Sequence, residues 1–488
     1  MTGLRYGTYG RATPPDPDPR SLTIGQVHLG LGAFHRAHQA VYTEDAIRNT
    51  GDRRWGIAAF TQRSGAAAAR LAPQDGLYTV VERGADATPP RTVGVLREVG
   101  NAAADPGSVI DRIADPTVHI VTLTVTEKGY RHDPVRGILR VDDPEVRADL
   151  AGRTPRTVPA ALAHAIARRA AAGAGPLTVV SCDNLPDNGR LLEGLVRDFA
   201  AEAGLDATTD ALASAMVTFP STVVDRIVPV TTDADIADLQ RRIGVRDAAP
   251  VICEPFRQWV IEDRFAGPAP DWSTAGAQFV DDAAPWEQLK LRMLNAAHSI
   301  LAYLGLRLGY RSIAAAVTDP VLADVCRRLF AHDVQPSLVV PPGMDVAGYG
   351  ESVLARFDNS ALPHTTIQVA ADGSQKIGPR LLATVAARAA QGAAAPWATL
   401  GVAAWALHVI DPVDAAGHSV ELADPRAGEL RDLVAGATVP VAVRRLVTDP
   451  TVVGSALADD SRFVDRAVEL ADGLHQHGYA ALHHEVRT

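Results

Sequence analysis

The stretch Leu22-Thr-Ile-Gly-Gln-Val-His-Leu29, running straight into Gly30-Leu-Gly32-Ala33-Phe34-His35-Arg36-Ala-His38, decides the fold. Its first part reads as a short buried strand. A strand, a Gly-x-Gly and then a helix make the dinucleotide-binding turn, where glycines let the backbone approach a pyrophosphate at a helix N-terminus. Gly30, Gly32, Ala33 and Phe34 are therefore candidate cofactor-binding residues. His35 stands where the third glycine of the usual fingerprint would be. The reading thus leans on the position of the turn, after the first strand of a chain that goes on alternating.

That alternation continues for about half the chain. Strand patterns are predicted at Trp55–Phe60, Tyr78–Glu82, His119–Thr126 and Leu177–Ser181, and helical patterns follow the glycine turn through Ala46 and recur at Val158–Ala172. Alternating strands and helices imply a parallel, doubly wound sheet, whose ligands bind at the carboxyl edge. Three polar turns are expected to converge there: Thr126-Glu127-Lys128-Gly129-Tyr130, Ser181 to Gly189, and Phe219-Pro220 through Asp225-Arg226. From about Glu287 onward, long Ala/Leu/Arg segments with helical periodicity take over. The expected organisation is a stiff, solvated and flexible leader at 1–20, a Rossmann-type α/β domain at 21–286, and an all-α domain at 287–488.

Composition narrows the partners. Of 488 residues, 47 are Lys or Arg and 57 Asp or Glu, a net charge of −10 that argues against nucleic acid. Cys182, Cys253 and Cys326 lie far apart, which fits a reduced cytoplasm and offers no zinc-ligand pair. Ala393–Ile410 is apolar, but Pro396, Trp397, Gly401 and His408 interrupt it, so a buried helix is expected and not a membrane span. A small-molecule substrate, no nucleic acid, no membrane, and a monomer or small homo-oligomer are the expectations.

The run Lys290-Leu-Arg-Met-Leu-Asn295-Ala-Ala-His298 carries the chemistry. On an ideal α-helix Lys290, Asn295 and His298 share an arc of roughly 140°, with Glu287 inside it. A desolvated lysine serves as a base near neutral pH, and amide and imidazole groups hold an oxygen on which charge develops. Together these groups suit alcohol oxidation. A helix whose polar residues simply face solvent is the alternative.

Taken with Gln74-Asp-Gly-Leu-Tyr78, Thr124-Val-Thr-Glu127-Lys128-Gly129-Tyr130, Ser181-Cys-Asp-Asn184-Leu, Phe219-Pro220…Asp225-Arg226 and Asp372-Gly-Ser-Gln-Lys376, these segments resemble the mannitol dehydrogenase family of polyol-specific long-chain dehydrogenases. The resemblance implies zinc-independent, NAD-linked oxidation of a secondary alcohol. It gives Lys290 as general base, Asn184 and Asn295 as the amides on the substrate oxygen, and His298 as the group that orients the substrate. Asn188, in the same loop as Asn184, is the alternative for the first amide. Asp225, Lys376 and Gln368 are implied substrate-binding positions, although Gln368 stands where some polyol enzymes of the family carry an arginine. The resemblance also implies that Glu287 links the base to solvent protons. Thr126, Glu127 and Lys128 fall on the cofactor side, with Arg63 of Thr61-Gln62-Arg63-Ser64 where an acidic residue would hold the ribose of NAD. NAD is expected and NADP stays open. A linear polyol such as mannitol or arabinitol is the expected substrate. The alternatives are fructuronate or tagaturonate, with Lys376, Arg226 or Arg380 as cationic partner, and a non-catalytic NAD-binding protein.

Overall fold

The opening strand forms as β1 (Ile24–Leu29), and all but its first residue are buried. Parallel strands flank it on both sides, β2 (Gly56–Thr61) and β6 (Ile120–Leu123). With β5 (Leu96–Asn101), β7 (Leu177–Ser181) and β8 (Val217–Thr218) they make a six-stranded parallel sheet of order β5-β2-β1-β6-β7-β8. Covered on both faces, these strands read as nearly continuous apolar runs. Ala58 and Phe60 join one core with Leu162, Ile166 and Phe199. Ile57 and Ala59 join the other with Tyr42, Trp259 and Trp272. The helices that matter for the site are α1 (Ala33–Ala37), α2 (Gln39–Thr50), α3 (Ala66–Leu71), α4 (Val158–Ala172) and α5 (Asn188–Glu202). This computed structural model describes residues 3–84, 88–134, 136–362 and 364–487. The chain divides into two units, Met1–Ala284 and Pro285–Thr488.

Three sequence expectations need correction in unit 1. Tyr78–Glu82 is a strand, β3, but lies outside the main sheet. It pairs antiparallel with β4 (Arg91–Val93) and parallel with β10 (Val251–Cys253). The connection from β3 to β4 is too short for a helical crossover, which forces an antiparallel partner. Likewise, only Phe219, Pro220 and Ser221 separate β8 from β9 (Thr222–Asp225). β9 therefore joins β11 (Gln258–Glu262) and β12 (Gln278–Val280) in a third sheet, so Asp225 is not on the carboxyl edge of the parallel sheet. Residues 3–20, expected as a flexible leader, instead make packing and hydrogen-bond contacts within unit 1. Leu4 is 1 % exposed. The Leu4 amide donates to the Arg246 carbonyl at 2.8 Å and the Thr13 amide to the Pro90 carbonyl at 2.9 Å. Pro15 and Pro19 pack close to Gly94. An extended proline segment leaves its backbone free to bond neighbours and its rings free to cover apolar surface.

His35 explains why the third glycine is absent. Its ring stacks on that of His28 with centroids 3.3 Å apart. The imidazole pair fills the helix–strand gap that a glycine would normally keep narrow. His28 bonds Thr122 Oγ1 at 2.8 Å and Thr124 Oγ1 at 3.0 Å. Burial pushes His28 and His38 down to about 3 and drives His35 down strongly as well.

Among the described residues of unit 2 the regular elements are helices, joined by loops. Helix α6 (Ala284–Lys290) continues through a π-wound turn, Leu291–Asn295, into α7 (Ala296–Arg307). Two short helices, α8 (Thr366–Ala370) and α9 (Gly373–Ile377), follow in the chain. Next comes α10 (Pro396–Ile410), buried along almost its whole length. A helix that is apolar all round belongs in a core, and Asp333 caps its start by accepting from the Trp397 and Ala398 amides at 2.7 Å. Among the described residues no helix is long and apolar enough to cross a membrane.

The buried histidines make stability depend on pH. Unfolded, His28, His35, His38 and His298 titrate near 6.5, and folded they do so far lower. Below about pH 6.5 the unfolded chain binds more protons, so each such group removes up to about 1.4 kcal/mol of stability per pH unit of acidification. Glu44 and Asp333, both pushed up to about 7 by burial, act in the opposite sense and are outnumbered. The urea midpoint should fall between about pH 7.5 and about pH 5.5. A midpoint that rises over this interval would contradict the neutral-histidine core.

Candidate active site

A cleft of about 550 Å³ opens in unit 1 where β1, β2 and β6 end, lined by Gly30, Gly32, Ala33, Thr61, Arg63 and Thr126 among others. Gly30 has φ 101°, and a Cβ there would run into the Thr124 carbonyl. At Gly32 a Cβ would meet only the Gly30 carbonyl oxygen at 3.6 Å, an ordinary contact, so within the chain space alone does not require glycine there. A backbone cradle of this kind fits a dinucleotide pyrophosphate. Thr126 closes the cleft at φ 64° and ψ 162°, a conformation a β-branched residue adopts only under constraint. Asp183 supplies the constraint. Its carboxylate accepts from the Val125 amide at 3.0 Å, the Thr126 amide at 2.9 Å and the Tyr130 hydroxyl at 2.9 Å. Glu127 and Lys128 are exposed and do not line the cleft, and Phe34 stacks on His38 at 5.0 Å.

The loop after β7 separates its two asparagines. Asn188 is buried, with its amide nitrogen on the Asp183 and Thr222 carbonyls at 2.9 and 3.0 Å. Its side-chain oxygen accepts from the Thr222 amide at 2.9 Å. Both N–H donors of that side chain, and its oxygen, are bonded to backbone, whereas Asn184 is exposed. Asp225 is 6 % exposed at the end of β9. Arg226 is committed inside the unit, to the Glu254 and Ala37 carbonyls at 2.9 and 2.5 Å and to Glu82 at 2.5 Å. That removes it as a cationic partner for substrate.

In unit 2, Lys290 ends α6 and is 7 % exposed. The π turn alters the geometry expected from an ideal α-helix. The Ala296 amide bonds the Leu291 carbonyl, five residues back. In an unbroken α-helix Lys290 and Asn295 would lie about 140° apart, and one wider turn brings them nearer to alignment. Glu287 sits one turn before Lys290, half-buried. His298 stacks on Phe357 with centroids 4.9 Å apart and has His364 at 5.7 Å. Its Nε2 is buried without a partner among the described residues. Burial, reinforced by the charges of Arg380, Lys376 and Arg356, pushes its pKa well below the ordinary range, so it is neutral.

Arg380 and Lys376 surround this helix. Arg380 donates to the Asn295 carbonyl at 3.3 Å and Ser299 Oγ at 3.0 Å, and burial lowers it to about 10. Lys376 donates to the Ala371 and Val369 carbonyls at 2.5 and 3.2 Å, with Asp372 at 4.0 Å. The Asp372-Gly373 turn that presents it is tight, because a Cβ on Gly373 would meet Trp405 and the Tyr303 hydroxyl. Gln368 is exposed on α8. Sequence reasoning did not single out the Asp183 clamp or the Arg380 bonds to α7. An acid directly after a buried strand was the available signal for the first, and nothing local signalled the second. Among the described residues no group of three or more His, Cys, Asp or Glu could hold a metal ion.

Comparisons with known proteins cover the same two units. The model of the mannitol dehydrogenase Rossmann domain matches residues 24–274, and that of the mannitol dehydrogenase C-terminal domain matches 282–474. The oxidoreductase YeiQ of Escherichia coli (strain K12) is 40 % identical, with 94 % of this chain and 93 % of that protein covered. D-mannonate oxidoreductase of the same organism is 39 % identical, with 86 % of each covered. The ternary complex of Pseudomonas fluorescens mannitol 2-dehydrogenase with NAD and D-mannitol superposes with a TM-score of 0.87 at 34 % identity, covering 100 % of both chains. With both domain models matched in order across the two units, the chain belongs to the mannitol dehydrogenase family of oxidoreductases.

Proposed function

We propose that the chain is an NAD-dependent secondary-alcohol dehydrogenase that interconverts a linear polyol and its ketose, with Lys290 as general base. The observation that carries this reading is the α6–α7 helix. It holds a buried lysine, an amide and a neutral imidazole with an unbonded nitrogen within nine residues, the first two drawn together by a π turn. A bound nicotinamide dinucleotide supplies the hydride acceptor, and the glycine cradle of unit 1 is the part of the chain that fits it.

The residues divide the work. Neutral Lys290 takes the hydroxyl proton, and in ketose reduction its protonated form returns it. Asn295 and Asn184 donate to the oxygen on which negative charge grows, and donors aimed at developing charge are the largest single source of rate. His298 stays neutral, so it exchanges hydrogen bonds with substrate hydroxyls and adds no repulsion toward the ammonium form of Lys290. Glu287 relays the proton between Lys290 and solvent. Asp225, Gln368 and Lys376 read the remaining hydroxyls.

An uncharged substrate fits the commitments of the nearby cations. Arg226 is spent in the core of unit 1, and Lys376 already holds two backbone carbonyls beside Asp372. A sugar acid is the second reading. The positive charges of Arg380 and Lys376, both felt at His298, favour it, as does the D-mannonate oxidoreductase relative. Specificity constants for mannitol, arabinitol, fructose and fructuronate, measured side by side, separate the two. The polyol–ketose pair should win, and a lead of more than about tenfold for fructuronate, roughly 1.4 kcal/mol at the transition state, would replace the polyol with the sugar acid.

Lys290→Ala should lower turnover by about 10²–10⁴-fold and leave NADH affinity nearly unchanged. Unaltered turnover would remove Lys290 as the base.

Asn184→Ala and Asn188→Ala should part company. The first should cost about 10²–10³-fold in kcat at unchanged stability. The second should cost at least about 1–3 kcal/mol in denaturant unfolding, because it strands buried backbone groups. The reverse pattern would make Asn188 the oxyanion amide.

A further inference from the structure

The cleft of unit 1 has a chemical bias that the reaction itself does not require. None of the described residues lining it is Asp or Glu, while Arg36, Arg63 and Arg70 all line it. The turn after β2 reads Thr61-Gln62-Arg63-Ser64, where a ribose-binding carboxylate would stand in an NAD-selective site. Arg63 on this turn and Arg70 on α3 are both exposed. Neither has an ion-pair or hydrogen-bond partner among the described residues, so neither guanidinium is neutralised from within the protein. Arg36 is different, being anchored on the Gly32 carbonyl at 3.1 Å and on the Ala249 carbonyl. The charge of Arg70 is nevertheless felt at Arg36, which places positive potential in the cleft and not merely on its rim.

The polar groups between the two free arginines complete the set. Ser64 Oγ accepts from the Ala66 amide at 3.2 Å, which leaves its hydroxyl proton to donate. Gln62 lines the cleft, and its amide nitrogen is buried without a partner among the described residues. The turn is held in place by Asn101, whose side-chain oxygen accepts from Thr61 Oγ1 at 3.3 Å and whose amide fills the space beside Gly65. Two unpaired guanidiniums, a hydroxyl donor and an orphaned amide donor, with no carboxylate to repel an anion, make a phosphate site.

We infer that Arg63, Ser64 and Arg70 receive the 2′-phosphate of a phosphorylated dinucleotide, so that the chain accepts NADP(H) alongside NAD(H). The inference rests on the dinucleotide reading of the cleft and sets which forms of that cofactor it admits. The phosphate adds about two negative charges that the arginines take up as charge-assisted hydrogen bonds, and NAD(H) loses nothing essential in its absence. An acidic residue at this turn would instead bond the ribose hydroxyls and repel the phosphate.

Fluorescence titration of the full chain with NADPH and with NADH, in the absence of substrate, tests this by binding alone. NADPH should bind at least as tightly as NADH, and its affinity should fall more steeply with added salt. The double variant Arg63→Ala/Arg70→Ala should weaken NADPH by about tenfold or more while NADH changes by less than about threefold. NADPH binding more than about tenfold weaker than NADH in the unaltered chain would overturn the inference. So would a variant that weakens both dinucleotides equally, which would mean the arginines stack on the adenine. Binding of neither dinucleotide would instead strike at the cofactor reading of the cleft.

Discussion

Burying a basic side chain without a carboxylate beside it fixes its protonation state, and both units are organised around that constraint. A histidine that gives up water loses affinity for its proton, and a neighbouring cation lowers it further. In unit 2 both causes act on His298, which is neutral and keeps an unbonded nitrogen. The same desolvation lowers Arg380 and Lys376, whose donors turn to backbone carbonyls for compensation. The bonds of Arg380 tie the turn after α9 to the helix that carries Lys290, and those of Lys376 tie α9 back to the end of α8 and the residue after it. In unit 1 the stacked, neutral His28–His35 pair lets the helix after the glycine turn sit on the first strand without a third glycine. One solvation effect thus shapes the floor of the cleft in unit 1 and the surroundings of the Lys290 helix in unit 2.

The parallel sheet was legible because two-sided burial leaves a plain mark on sequence. β1, β2 and β7 are short apolar runs between turn residues, and the long alanine-rich α4 announces its own period. Tyr78–Glu82 has the same texture, yet belongs to another sheet. Pattern reports that a segment is a strand, and connection length decides its partner. The prolines before Ser21 misled for a related reason. Polyproline stretches are usually solvated, but here their rings and the buried Leu4 cover unit 1.

The site was legible in its residue types and less so in its geometry. Lys290, Asn295 and His298 stand out because polar groups on an otherwise apolar helix are costly. Nothing in their spacing announces a π turn, since an i→i+5 bond leaves no periodic trace in eleven or so residues. The choice between Asn184 and Asn188 could not be made from a loop in which both are polar and near glycine. The structure sets them apart through the bonds of Asn188, each of which ends on backbone. Asp183 was hidden for the same reason, because its function is to fix the backbone of a distant loop.

That clamp links the two kinds of chemistry in unit 1. Thr126 lines the cofactor cleft in a backbone conformation that costs on the order of 1–3 kcal/mol to hold. Asp183, one residue before Asn184, holds it by bonding two successive amides of the loop after β6. The carboxylate itself is buried and its pKa is raised by desolvation, so it needs those amides and the Tyr130 hydroxyl as much as they need it. Ser181 donates to the same tyrosine oxygen, which joins the end of β7 to the network. The loop that lines the cleft and the loop that carries Asn184 are therefore set by one group of mutually dependent hydrogen bonds. Strain in the first is sustained by burial in the second. The strand order makes this possible, since β6 and β7 are neighbours and their carboxyl ends emerge side by side.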